Sequence, residues 1–262
     1  MQDQFIRTQL LLGKTAIDKL SGCRVAVFGI GGVGGFVCEA LARSGVGAFD
    51  LIDSDKVSLS NINRQIIALT STIGQYKVDV MHERMLDINP DVKVRTYKTF
   101  VLPENADDFP FEEYDYIVDA VDTVTAKVTL VMKAKEYNIP IISCMGAGNK
   151  LDGTQFKVSD IYKTKYCPLA KVMRHEMKKR GIKKLKVVYS EETALKPLHD
   201  ASTSEAAKKE AEQMSDAEEK HVEKRDVPGS TAFVPSVAGL IIGGEVIKDL
   251  TRAEFAAARG LT

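Results

Sequence analysis

Asp53, Arg64, Lys77 and Asp122 are the side chains whose types and spacing could do chemistry in this chain. Two of them share one stretch, LIDSDKVSLSNINRQ (51–65). A β-rich run there ends in two acids, Asp53 and Asp55, and passes at once into a polar loop with Asn61, Asn63 and Arg64. A strand end that only had to turn needs Gly, Pro or Asn and nothing more. Arg64, 11 residues after Asp53, suits an anion. Lys77 follows 13 residues later in GQYKVD, near a helix start, and Asp122 stands just past YDYIVDAV (114–121). Two cations and an acid around phosphates fit a reaction from which pyrophosphate must leave. Arg64 and Lys77 would take up charge developing on the α-phosphate and the leaving group, and Asp122 would hold Mg²⁺. Each such donor is worth ~3 kcal/mol in a water-excluded site. The plainer alternatives are a surface salt bridge for Arg64, a solvated helix residue for Lys77 and a helix N-cap for Asp122.

The phosphates have an obvious seat. GIGGVG, with Gly29, Gly31, Gly32 and Gly34, ends a β-rich run and opens a helical one, and Asp53 lies 19 residues after Gly34. Glycines permit a tight turn and close phosphate approach, free amides at the helix start carry partial positive charge, and the carboxylate takes ribose hydroxyls. The pattern predicts a nucleotide without saying which. Alone it would suit an NAD-dependent oxidoreductase, but a dinucleotide's phosphates are not leaving groups and need no Arg64 or Lys77.

The elements that must position these residues alternate along the chain. Strands are expected at 24–30, 48–53, 92–97, 114–121 and 140–146. Helices are expected through GFVCEALARSG, near 75–88, and from 122 to about 138. That alternation predicts a doubly wound, Rossmann-like α/β fold: a mainly parallel sheet with helices on both faces and its ligand beyond the carboxyl ends of the strands. Residues 1–150 would form the nucleotide-binding core and 151–262 a C-terminal extension, in which QFKVSDIYKTK could add an edge strand. Residues 163–186 hold ten Lys or Arg against one acid, Glu176, a local patch suited to nucleic-acid phosphates. Residues 191–226 hold eleven acids against six bases and are expected to form a mobile loop or an exposed helix. The run 232–247 reads as a buried helix, too short and too charged at Glu245 to span a membrane.

At 262 residues, 44% hydrophobic and 27% charged, with zero net charge, the composition is that of a globular chain with no overall pull towards polyanions. Cys23, Cys38, Cys144 and Cys167 form no CxxC pair, which argues against structural zinc and disulfides and fits a reducing cytoplasm. The N-terminal MQDQFIRTQ lacks the apolar core of a signal peptide.

Taken together, GIGGVG, LIDSDKVSLSNINRQ, GQYKVD and VDAVD resemble the ubiquitin-activating-enzyme-like (ThiF/MoeB/HesA) adenylating superfamily, whose members attach AMP to a carboxylate. The resemblance implies ATP and Mg²⁺ as cofactors. It puts Asp53 on the ribose, Asp55, Asn61, Arg64 and Lys77 in the nucleotide site, Asp122 on the metal, and a homodimer in which Arg7 of FIRTQLLLG reaches the neighbouring site. Within the superfamily, EALARSGVG, NINRQ, MGAGNKLDGTQFKVSDIYKT, YSEE and GSTAFVPSVAGLIIG resemble the tRNA threonylcarbamoyladenosine dehydratases. That branch implies adenylation of the threonylcarbamoyl carboxylate on tRNA, then ring closure with loss of AMP. Its implied partners are the modified tRNA and sulfur-transfer proteins, with no membrane. The alternative is adenylation of the C-terminal carboxylate of a ubiquitin-like sulfur carrier, whose activators usually carry two CxxC pairs that this chain lacks. Where the branch commonly has Asp-Pro-Leu-Ala, this chain has Cys167, which is expected to be an apolar filler before it is a nucleophile.

Overall fold

The computed structural model describes residues 3–198 and 228–261. Seven strands form one sheet in the order β3-β2-β1-β4-β5-β7-β6. They are β1 (Arg24–Phe28), β2 (Ala48–Ile52), β3 (Lys93–Tyr97), β4 (Tyr116–Asp119), β5 (Ile141–Cys144), β6 (Phe156–Asp160) and β7 (Lys186–Ser190). Every pairing is parallel except β6 with β7. β1 is apolar without interruption from Val25 to Phe28 because helices cover both faces of the sheet. Val25 and Val27 enter one core, and Ala26 and Phe28 the other.

The eight α-helices among the described residues are α1 (Ile6–Leu12), α2 (Lys14–Ser21), α3 (Gly34–Arg43), α4 (Lys77–Ile88), α5 (Val124–Glu136), α6 (Pro168–Lys179), α7 (Phe233–Leu250) and α8 (Arg252–Ala258). The doubly wound sheet is the predicted one. QFKVSDIYKTK does supply the edge strand, β6. β7 has no counterpart among the expected strands: its LKVVYSEE context reads as a basic run meeting an acidic motif. The strand is nonetheless buried, inserted between β5 and β6, so 156–160 and 186–190 extend the sheet that 24–144 begins. Most of the acidic segment expected to be mobile lies outside the described residues.

α7 is buried as expected, and it lies along α3 at very short range. A Cβ at Gly239 would lie 2.4 Å from the Val33 carbonyl oxygen, and one at Gly243 would lie 2.7 Å from Ala40 Cβ. Pro235, one turn earlier, reaches within 3.2 Å of where a Cβ at Gly32 would stand. Glycines four apart present one bare face, and this face brings the start of α7 against the glycine turn. Gly239→Ala is expected to cost about 1–3 kcal/mol by overpacking against backbone that cannot yield. Urea unfolding checks it, and an unchanged midpoint would show that the helices slide apart freely.

Candidate nucleotide site

The order reverses between β1 and β4, so the crevice at their carboxyl ends is the expected ligand seat. Gly29 leaves β1 with φ +89°, and a Cβ there would stand 2.7 Å from the Ala120 carbonyl oxygen at the end of β4. At Gly34 a Cβ would collide with the Gly29 carbonyl oxygen, because α3 starts directly on the turn. No side chain caps the first turn of α3; Gly35 N and Phe36 N turn back to Gly31 O and Val33 O, and the Gly34 amide is the one left for an anion.

Asp53, at the end of β2, closes this turn. Its Oδ2 accepts from Ile30 N at 2.7 Å and its Oδ1 from Asp55 N at 2.8 Å. A carboxylate has about four acceptor positions, so two remain for ligand hydroxyls. Burial pushes the Asp53 carboxyl above its usual range, and Lys77 pulls the other way. Lys77 is itself buried at the start of α4, with Nζ 2.6 Å from Asp55 Oδ2 and 3.9 Å from Asp53 Oδ1. It is not a solvated helix lysine.

Arg64 lies on the other side of the turn, its Cγ 3.4 Å from where a Cβ at Gly32 would be. Its Nη1 donates to Ser60 O and to Asn63 Oδ1, both at 2.9 Å, and it makes no ion pair with a described residue. The salt-bridge alternative therefore fails. Asn61 is buried, and its Oδ1 accepts from Ser58 N at 3.2 Å, fixing the polar loop. Asn63 Nδ2 donates to Ser230 O, which pins the segment before α7 to the same loop.

Asp122 is exposed two residues beyond Ala120, without a hydrogen bond or ion pair to a described residue. The N-cap of α5 is Thr123, so Asp122 is not the cap. Arg7 is not brought to the site within one chain. It is exposed on α1, and Phe5 just before it packs on Gly45, at the amino end of β2.

The model of the ThiF family matches residues 4–261. The chain belongs to the ThiF family. It is 44% identical over 253 residues to the tRNA threonylcarbamoyladenosine dehydratase of Bacillus subtilis (strain 168), covering 96% of each. With the enzyme of the same description from Escherichia coli (strain K12) it shares 40% identity over 177 residues, covering 68% of this chain and 66% of that one. The crystal structure of E. coli tRNA N6-threonylcarbamoyladenosine dehydratase, TcdA, in complex with ATP matches with a TM-score of 0.81 at 31% identity, covering 98% of this chain and 96% of that one.

This ThiF-family site also rests on a polar cluster that sequence reasoning missed. Asp119 and Lys127 are wholly buried, with Nζ 3.0 and 3.2 Å from the two carboxylate oxygens. Lys127 Nζ also donates to Cys144 O at 2.6 Å, Ser143 Oγ donates to Asp119 Oδ2, and Val121 N reaches Asp119 Oδ1 at 3.3 Å. One ion pair thus ties the loop towards Asp122 to α5 and to the end of β5. The signal was present, an Asp on a strand and a Lys eight residues later, but such a pair is ordinary unless both are known to be buried. The cysteines offer no nucleophile. Cys144 donates to Met145 O at 3.2 Å, and burial pushes its thiol up to about 12. Cys167 precedes α6 and is buried among Met145, Ile161, Ala170 and Met173.

Lys127→Met should destabilise the fold by about 3–5 kcal/mol, because it leaves Asp119 charged and unpaired in the core. Chemical unfolding measures this, and a loss below about 1 kcal/mol would mean that Asp119 finds another partner.

Proposed function

We infer that this chain is an ATP-dependent tRNA threonylcarbamoyladenosine dehydratase. The observation that carries the reading is the position of two cations, Lys77 behind Asp53 and Asp55 and Arg64 beside Gly32, on either side of a turn built for phosphate. A redox enzyme has no use for that pair, and the family membership points the same way.

In the proposed reaction a substrate carboxylate oxygen attacks the α-phosphorus. The bond to the bridging oxygen breaks and pyrophosphate leaves. A nucleophile within the same threonylcarbamoyl group then attacks the activated carbonyl, loses its proton and expels AMP, so the substituent closes with net loss of water. Asp53 holds the ribose, the Gly34 amide and Arg64 hold phosphates, and Lys77 offsets charge on the leaving group. Mg²⁺ neutralises phosphate charge when bound. Among the described residues no group of three or more His, Cys, Asp or Glu side chains could hold a metal. A single free carboxylate, Asp122, suits a Mg²⁺ that takes its other ligands from phosphates and water. No protein nucleophile is required, in keeping with the buried thiols.

The tRNA surface in this proposal is the basic segment. Lys163, Lys171, Lys178, Lys183 and Lys184 are exposed and form no ion pair with described residues, whereas Lys179 and Arg180 pair with Glu176 and Lys186 pairs with Glu245 and Asp249. The dimer belongs to the proposal too: Arg7, far from its own site, is offered to a second copy. Among the described residues no helix is long and apolar enough to cross a membrane, and we place the enzyme in the cytoplasm. Sulfur-transfer proteins are proposed only as partners. Activation of a sulfur carrier is the weaker reading, because its usual paired CxxC motifs are missing.

Mass spectrometry of tRNA nucleosides after incubation with the protein and ATP should show the modified adenosine lighter by one water. An unchanged nucleoside, with pyrophosphate released on a carrier protein instead, would favour the second reading. Arg64→Ala and Asp122→Ala should each slow ATP–pyrophosphate exchange by about 10²–10³-fold, with little change in the unfolding midpoint because neither side chain is buried. Full exchange in either would refute its role. Replacing Lys178, Lys183 and Lys184 by Ala should weaken tRNA binding and flatten its log–log salt dependence by roughly 0.7–0.9 for each phosphate no longer neutralised, with ATP binding intact. An unaltered slope would put the RNA on another face.

A further inference from the structure

Tyr166 is the residue of the basic segment that its own fold least explains. Its φ is +57°, and Cys167 N donates to Lys165 O at 2.7 Å across it, a γ-turn with positive φ at its centre. Such a turn is rare and strained, and for a bulky residue a positive φ is an outlier. Glycine or asparagine would reverse the chain before α6 with less strain. Asn138 and Asn149, the other non-glycine residues with positive φ among the described residues, are of that kind. Position 166 holds an aromatic instead.

Burial does not offset the strain. Tyr166 is 71% exposed, its ring meets no aromatic or cation among the described residues, and its hydroxyl has no hydrogen-bond partner there. Strain of this kind gathers at ligand contacts. Its neighbours along the chain are cations. Lys163, Lys165 and Lys171 are exposed, and none lies within ion-pair distance of a described acid. Lys165 acts on Glu191 only at longer range, and Glu191 is already paired with Lys157. An open ring interleaved with free lysines has the make-up of a single-strand nucleic-acid contact, in which cations hold phosphates and the ring takes the face of a base.

The turn also lies on the side of the sheet where the chemistry is. Cys167 Sγ is 3.9 Å from where a Cβ at Gly146 would stand, and Gly146 follows the carboxyl end of β5. β5 is two strands from β1, about 10 Å across the sheet, and the glycine turn leaves β1 at that same end. α6 starts beside Tyr166 and carries Lys178 towards the amino ends, where Lys183 and Lys184 precede β7. The free cations thus run away from the crevice, and Tyr166 stands where that run begins.

We propose that Tyr166 is the stacking platform for an unpaired base of the substrate RNA, close to the adenosine in the crevice, with Lys163, Lys165 and Lys171 on the flanking phosphates. The assignment rests on the reading of the chain as a tRNA-modifying enzyme. It adds a contact to a base where the lysines supply only charge. Every base has a face that stacks, so the platform orders the RNA loop without selecting its sequence.

The test uses a synthetic anticodon stem-loop RNA carrying threonylcarbamoyladenosine, and compares the natural chain with Tyr166→Phe, Tyr166→Asn and Tyr166→Trp. Tyr166→Asn removes the ring and suits the turn, so its unfolding midpoint should hold or rise. Its Kd for the RNA should rise about five- to a hundredfold, the effect of one stacked base. Its Kd for ATP and its log–log salt slope should not change, because the ring neutralises no phosphate. Tyr166→Phe should bind the RNA as the natural chain does. The chain contains no tryptophan, so Tyr166→Trp places a single indole at the turn, and the RNA should quench its emission. Unchanged RNA affinity in Tyr166→Asn overturns the assignment. So does a loss that comes with a flatter salt slope, which would make the turn a phosphate contact. Natural RNA affinity with altered sedimentation would give the ring to a protein contact and overturn it equally. A natural chain that binds ATP but not the RNA sinks the tRNA reading itself, and this assignment with it.

Discussion

The buried carboxylate of Asp53 is the constraint on which the rest of the site depends. It accepts from the amide of Ile30 in the turn after β1 and from the amide of Asp55 after β2, and Asp55 in turn holds the ammonium of Lys77 at the start of α4. The ends of β1 and β2 and the start of α4 are thereby fixed around two neighbouring carboxylates, Asp53 and Asp55. Burying it carries a cost, visible in the upward push on its carboxyl. Two amide donors and a nearby cation offset that cost in part, and a ligand's hydroxyls would complete the offset.

Around that point the glycines answer two different demands. Gly29, Gly34, Gly239 and Gly243 let backbones and helices approach to distances that a Cβ forbids. They place the starts of α3 and α7 at the same turn, so the last part of the chain becomes a wall of a site whose motifs lie in the first part.

The second buried pair, Asp119 with Lys127, does for the other side of the crevice what Asp53 does for the first. It fixes the ends of β4 and β5 relative to each other, and so the loop that carries Asp122. On the outer surface the charge pattern is sorted by pairing. Lys179, Arg180 and Lys186 are tied to carboxylates, while Lys178, Lys183 and Lys184 stand free of ion pairs with described residues. A run of ten basic residues in sequence is thus a smaller number of available ones in space.

The sequence alone determined the alternation of strands and helices, the glycine turn, the acid that faces it and the two cations, because these depend on local pattern and fixed spacing. Its plainer alternatives for Lys77 and Asp122 were open at that level, since burial and capping are not local properties. Only the tertiary structure decided that Lys77 is buried behind two carboxylates, that Thr123 rather than Asp122 caps α5, and that 186–190 enters the sheet beside β5. The same holds for Asp119 with Lys127. Each is a contact between segments that the chain order separates, and its meaning lies in whether a polar atom finds a partner once water is excluded.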